Sequence, residues 1–246
     1  MDKLIYIAMT GAKHTLGQQA AVSHNLANAD STGFREEMHR FRSVDVTNSP
    51  LPSRAFVVDA SVATNFSEGP IKFTGRTYDV AIQGKGFFAV QGADGSEGYT
   101  RDGSFSLSPE GVLLTRSGRP VIGDGGPITI PPDNEIVIGK DGSISAIPAT
   151  GDKNAVNVVG RLKLVNPNEA ALERGEDGLF RLNGGGVAPL DEFVQVAGGY
   201  LEGSNVNVVD QMTQMISVQR QFEMQMQVLR RAESNDQTAT KILSTG

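Results

Sequence analysis

Apolar residues near the C-terminal end of the chain recur at alternating steps of four and three. Val208, Met212, Met215, Gln219, Phe222, Met226 and Leu229 keep that spacing, the a/d seam on which helices supercoil around one another. Past Leu229 the register runs through Glu233, Asp236 and Thr240 before Leu243 resumes it. A helix over residues 206–243 would be roughly 55 Å long at ~1.5 Å per residue, longer than a small domain is wide. Such a helix needs a long partner. At the N-terminal end Ile5, Met9, Ala12 and Leu16 are spaced 4, 3 and 4, and Ala8, Ala20, Val22 and Leu26 widen the stripe. That helix is predicted to stop near Asn28, because Asp30-Ser31-Thr32-Gly33 is a turn signal. An ordinary helix packed on the middle of the chain is the alternative, and the length of the C-terminal seam weighs against it.

Between the ends the pattern changes to short apolar runs separated by turns. Runs fall at residues 87–90, 104–107, 112–115, 128–130, 135–138, 144–147, 160–165, 179–182 and 193–196. Asp-Gly occurs five times, at 94–95, 102–103, 124–125, 141–142 and 177–178, and favours the positive φ of tight hairpins. The reading is α+β: long terminal helices forming a coiled-coil-like pair around a central antiparallel β domain, a sandwich or an open barrel. Four segments are expected. Residues 1–34 hold the first helix and its turn, 35–78 an extended connector marked by Pro50 and Pro52, 79–200 the β domain, and 201–246 the heptad helix.

Composition sharpens this division. All 11 Pro residues lie between Pro50 and Pro189, and only three of the 29 Gly residues fall within 1–28 and 204–246. Pro and Gly are costly inside helices, so both ends are free to be helical. The chain of 246 residues has a net charge of −6, while residues 1–28 carry +1 and residues 204–246 carry zero. The acidic excess therefore sits in the middle and argues against nucleic acid as a partner. Cys is absent, which removes disulfides, thiolate metal sites and Cys nucleophiles. No apolar run is long enough to insert in a membrane. The apolar stretch 4–9 is short and Asp2 precedes it, so no cleaved signal peptide is expected.

No catalytic, cofactor or metal site emerges. Gly84-Lys85-Gly86-Phe87-Phe88-Ala89 fits G-x-G-x-x-A, yet it opens the strand-like run 87–90 where a dinucleotide site needs a helix. His14, His24 and His39 lack the i, i+3 or i, i+4 spacing of paired ligands. There is no G-x-S-x-G. Gly184-Gly185-Gly186 has no following Lys-Ser/Thr and reads as a flexible loop, not a phosphate cradle. A carboxylate pair acting as a glycosidase remains a rival, since acids are plentiful in the turns, although Asp in Asp-Gly already has a turn role. Asn65-Phe66-Ser67 matches a glycosylation sequon, a signal common by chance. Met212, Met215, Met224 and Met226 place four of the seven Met residues on one helix, where Met adapts to varied neighbours.

Specific residues carry a resemblance. Asn25-Leu26-Ala27-Asn28 followed by Ser31-Thr32-Gly33-Phe34-Arg35 resembles the N-terminal signature of the flagellar basal-body rod and hook proteins. Asp79-Val80-Ala81-Ile82-Gln83-Gly84-Lys85-Gly86-Phe87-Phe88 and Tyr99-Thr100-Arg101-Asp102-Gly103-Ser104-Phe105 resemble that family's middle motifs. Leu201-Glu202-Gly203-Ser204-Asn205-Val206 resembles the motif before its last helix. Order and spacing agree over nearly the whole chain. Residues 222–227 and the length are most similar to the proximal-rod members, with distal-rod and hook members the nearest siblings. Asp30 departs from the small or polar residues common at its position.

The resemblance implies a structural subunit without enzymatic activity. Such proteins pass through the flagellar export apparatus without a cleaved signal. They polymerise helically with other copies and with other proximal- and distal-rod subunits into a drive shaft crossing the periplasm around the export channel. The terminal helices would line that tube, with the β domain outside. The subunit-interface residues expected on this basis are Ile5, Met9, Ala12, Leu16, Asn25, Leu26, Asn28, Val208, Met212, Met215, Phe222, Met226 and Leu229. Asn25 and Asn28 are expected either to cap helix carbonyls or to bond to a neighbouring chain. The rivals are a β-rich periplasmic carboxylate hydrolase with a deep acidic cleft, and a binding module whose helices only dimerise.

Overall fold

Asn207 starts the C-terminal helix. Its side-chain Oδ1 accepts from the backbone N–H of Val209 at 3.0 Å, the bond an N-cap makes, and Asp210 places negative charge in the first turn. The helix that follows, α2, runs Val208–Ser244. At the other end α1 spans Asp2–Ala27 and carries His24 in its last turn. The backbone N–H and side-chain Nδ2 of Asn28 both donate to the carbonyl of His24, closing that end. The computed structural model describes residues 2–45, 55–132, 134–148 and 156–244.

The chain divides into two units: Met1–Ala29, Glu36–Asn65 and Val206–Gly246 in one, Asp30–Arg35 with Phe66–Asn205 in the other. In the first, α1 packs along α2. Residues 35–78 are not simply an extended connector. They contain the antiparallel pair Glu37–Asp45 and Ala55–Thr64, with a bulge between Arg40 and Phe41. Phe56-Val57-Val58 and Val62 supply the β-branched and aromatic residues that strands favour. Pro50 and Pro52 lie outside the described residues.

The second unit is built of short antiparallel strands. Its largest sheet has five, in the order Leu164–Val165, Phe87–Gln91, Glu97–Thr100, Phe180–Leu182 and Leu172–Arg174. A three-stranded sheet joins Asn134–Ile138, Ser143–Pro148 and Asn157–Arg161. Strand Phe87–Gln91 explains its own apolar run. Phe88 and Val90 enter one buried cluster with Val80, Phe105, Leu113 and Ile144, while Phe87 and Ala89 enter a second with Tyr99 and Phe180. Side chains alternate along a strand, so a strand covered on both faces is apolar throughout.

Four of the five Asp-Gly pairs join successive strands that pair with each other. Gly92-Ala93-Asp94-Gly95-Ser96, Gly139-Lys140-Asp141-Gly142-Ser143 and Gly175-Glu176-Asp177-Gly178-Leu179 share one design. The first residue's N–H donates to the fifth residue's carbonyl, the fourth closes back on the first, and Asp Oδ1 accepts from the fifth N–H. This is a turn ending in a left-handed glycine, with φ of 79°, 83° and 79°. Asp102-Gly103 is different. A Cβ on Gly103 would run into the Val80 carbonyl, so this glycine serves close backbone approach, not a hairpin. Residues 128–130 form no strand. Thr129 bridges Val112 singly, and Ile128 and Ile130 are buried.

Candidate functional site

The buried face of α2 is set one residue away from part of the seam read from the sequence. Gln211, Met215, Val218, Phe222, Gln225, Leu229 and Ala232 are buried or partly buried, again at steps of four and three. Met215, Phe222 and Leu229 belong to both lines. Val208, Met212 and Gln219 are exposed, and Met226 is partly buried. On α1 the buried residues are small: Ala8, Ala12, Thr15 and Ala21, with Val22 and Asn25. A Cβ on Gly11 would touch the Gln225 amide at 3.0 Å, so the two helices lie close. Small residues permit that approach and exclude larger ones. Met9 (52% exposed), Leu16 (51%) and Tyr6 therefore point outward, as do Met212 (50%), Ile216 and Val209 on α2. Ile5, Leu26 and Asn28 are partly buried.

Asn25 is committed inside the chain. It is 2% exposed, accepts from the Glu37 N–H at 2.9 Å and donates to the Glu37 carbonyl at 2.8 Å. The amide thus completes the hydrogen bonds of a backbone segment as a neighbouring strand would. Gln211, also buried, approaches Asn25 and donates to Glu36 at 2.8 Å, and Asn65 donates to the other Glu36 oxygen at 3.0 Å. His24 reaches Glu37 at 3.1 Å. This polar cluster joins α1, α2 and the segment entering the first strand.

A second cluster centres on Glu202. Arg35 meets its Oε1 at 2.8 Å, Arg101 meets Oε2 through Nε at 2.7 Å and Nη2 at 2.6 Å, and the Gly69 N–H donates to Oε1 at 2.9 Å. Arg101 Nη1 also donates to the carbonyls of Gly84 and Gly86, both at 2.8 Å. The G-x-G turn is therefore a carbonyl cradle for a guanidinium. Burial pulls the Arg101 pKa down, opposed by the charge of Glu202. The Glu202 backbone carbonyl accepts from the Gly33 N–H, where φ is 66° and a Cβ would strike Asp102. Asp102 takes hydrogen bonds from Thr32 at 2.6 Å and the Ser104 N–H at 3.0 Å, while burial pushes its carboxyl up. Ser31-Thr32-Gly33-Phe34-Arg35, Gly84-Lys85-Gly86, Arg101-Asp102-Gly103 and Leu201-Glu202-Gly203 thus meet in three dimensions.

A cleft of about 830 Å³ lies beside Gly184-Gly185-Gly186, with Glu97, Glu173 and Glu176 among its lining. Both Glu97 oxygens are taken by Lys163, at 2.9 and 2.7 Å, so this carboxylate is committed to an ion pair and not free as one member of a glycoside-cleaving pair. Among the described residues no group of His, Asp and Glu gathers as metal ligands, and no helix is long and apolar enough to cross a membrane.

Comparison with known proteins falls on the same segments. Residues 5–35 match the family model described as "Flagella basal body rod protein". Residues 81–146 match "Flagellar hook protein FlgE/F/G D1 domain", and 197–242 match "Flagellar basal body rod FlgEFG protein C-terminal". The flagellar basal-body rod protein FlgF of Escherichia coli (strain K12) is 45% identical over 250 aligned positions, covering 99% of each chain. FlgF of Caulobacter vibrioides is 39% identical over 91% of this chain and 90% of its own. The rod protein FlgG of Buchnera aphidicola subsp. Schizaphis graminum is 34% identical over 89% of this chain and 91% of its own.

Proposed function

We propose, from the premise that this chain belongs to the flagellar basal-body rod protein family, how a FlgF-like, non-enzymatic structural protein of the basal body does its work. It is a proximal-rod subunit that polymerises helically with its own copies and with sister rod proteins. Residues 1–34 and 201–246 form the inner tube, α1 and α2 pairing in coiled-coil fashion. Residues 79–200 form the outer cladding, their short sheets wrapped as an open barrel on two shared cores. The flagellar export apparatus delivers the chain unfolded, and the assembled shaft transmits torque around the channel.

One observation carries this reading. Both helices turn large apolar residues outward along their length: Tyr6, Met9 and Leu16 on α1, Val209, Met212, Ile216, Met224 and Val228 on α2. A monomer gains nothing by holding such stripes in water, whereas packing against adjacent helices removes them from it. Contacts that do not close on themselves make a filament. Cysteine placed at Met212, in a chain with none of its own, tests the reading by crosslinking in purified basal bodies. Adducts to rod proteins and to a second copy are expected. A chain present in basal bodies that forms no adduct through α2 would overturn the tube assignment.

A further inference from the structure

We propose that residues 66–205 carry a polymer contact of their own, in which a rigid aromatic knob of Phe73 and Tyr200 seats in the cleft beside Gly184-Gly185-Gly186 of a second copy. The inference rests on the assembly reading above and adds to it a surface, a partner and a direction.

The knob is built to project. Among the described residues strand Ile71–Phe73 pairs only with Tyr200–Glu202, and all three of its residues are exposed. No described strand pairs with its outer edge, a feature that soluble monomers usually blunt. Phe73 is 73% exposed, and its ring lies 5.1 Å from that of Tyr200. The N–H groups of Thr74 and Gly75 both donate to the Gly199 carbonyl, at 2.9 and 3.1 Å, fixing the base of the knob. A pre-set aromatic loses little freedom on docking, which is why such residues anchor interfaces.

The cleft has the matching shape and charge. Ile122, Leu182 and Val187 give it apolar walls. Its floor is glycine, and a Cβ at any of the three positions would meet nothing within 4 Å. Their positive φ of 86°, 77° and 119° is what requires glycine, and the result is a low floor with bare backbone. Two exposed carboxylates at the rim, Glu173 and Glu176, form no ion pair among the described residues. Flanking the knob are Lys140, beside Tyr200, and Lys72, next to Phe73 on the same strand and turned to its other face; both are exposed and outside any ion pair among the described residues. The other charges lining the cleft are already engaged: Arg181 by Asp177, Glu97 by Lys163, and Arg174 by the Arg35 carbonyl and the Phe34 and Phe180 rings. Two uncommitted cations thus face two uncommitted anions. In a chain of net charge −6 such local complementarity is what makes contact between identical copies favourable. Knob and cleft are different surfaces, so each copy can engage two neighbours without closing a ring.

The test uses the full chain in cells where it is the sole copy, with basal bodies purified and oxidised. Thr74→Cys, which keeps the Phe73 and Tyr200 rings, combined with Val187→Cys is expected to give a ladder of disulfide-linked copies, and each single variant none above dimer. A double variant that enters basal bodies without forming the ladder overturns this contact and leaves the assembly reading standing. A wild-type chain absent from basal bodies overturns the assembly reading itself. A second test survives misfolding of the cysteine variant. Lys72→Glu with Lys140→Glu should lower the incorporated chain about tenfold, and adding Glu173→Lys with Glu176→Lys should restore it. No loss, or no restoration, overturns the contact.

Discussion

Arg101 donates from Nε to Oε2 of Glu202 at 2.7 Å, and both side chains are at most 2% exposed. The same carboxylate neutralises Arg35, itself 2% exposed. Glu202→Gln keeps the shape and removes the one carboxylate that, among the described residues, these two guanidinium groups share at hydrogen-bond distance. Breaking one partner of a buried ionic cluster typically costs about 3–5 kcal/mol. Urea unfolding of the variant should show a loss of that size, and a loss below about 1 kcal/mol would deny the cluster its role in holding the second unit together.

Asn25→Ala removes one acceptor and one donor from the Glu37 backbone in a buried setting. Each unsatisfied group costs about 1–3 kcal/mol. Asn25→Asp retains the acceptor for the Glu37 N–H and loses the donor, so it should be milder at that amide and still destabilising at the carbonyl. Hydrogen exchange of the Glu37 N–H reads the difference directly. Faster exchange is expected in the Ala variant, and unchanged protection in both would show that the strand pair holds Glu37 without the side chain.

The terminal helices were legible because their period is long and uninterrupted: residues 206–243 anticipate Val208–Ser244, and the turn at Asp30 anticipates the end at Ala27. The register of their buried face was not legible. Met212 is more apolar than Gln211, yet Gln211 is the buried one, because it finds Glu36 and Asn25 as partners that hydropathy does not encode. The strand pair at 37–64 was obscured by Pro50 and Pro52, which punctuate the sequence between two runs with strand character. Repetition of G-x-D-G-x at 92, 139 and 175 was readable as three copies of one turn. The Glu202 cluster joins residues up to 169 positions apart, from Gly33 to Glu202, and no local pattern reveals such a meeting. Only the motif resemblance pointed at Arg35, Arg101 and Glu202, without saying that they touch.

Tyr99 offers a pH test. Its hydroxyl accepts from the Ala188 N–H at 2.6 Å inside the second core, and burial pushes its pKa from 10.0 up to about 12. A folded-state value above the unfolded one stabilises fully below the unfolded pKa and loses that contribution as pH rises through the folded value. Stability of the wild type should therefore fall between pH 10 and about pH 12 through this group. Tyr99→Phe leaves the Ala188 N–H unsatisfied and is less stable at neutral pH, but it lacks this alkaline loss, so the gap between the two proteins narrows across that window. A gap constant from pH 8 to 12 would mean that Tyr99 does not titrate in this way.

Leu16 and Met212 separate folding from assembly. Each is about half exposed, on the outward sides of α1 and α2. Neither fills the line of small residues on α1 or the Gln211-to-Ala232 line on α2. Leu16→Asp and Met212→Asp should leave the unfolding free energy of the isolated chain within about 0.5 kcal/mol, as surface changes usually do. In an assembled tube the same carboxylates would be placed against apolar helices, where an unpaired charge is costly. Leu26→Asp tests the partly buried side of α1, and it should lower both stability and assembly. The expected pattern is normal melting of purified Leu16→Asp and Met212→Asp chains with loss of motility and of chain in purified basal bodies. Motile cells carrying either variant at normal rod content would show that these outward stripes do not meet another helix.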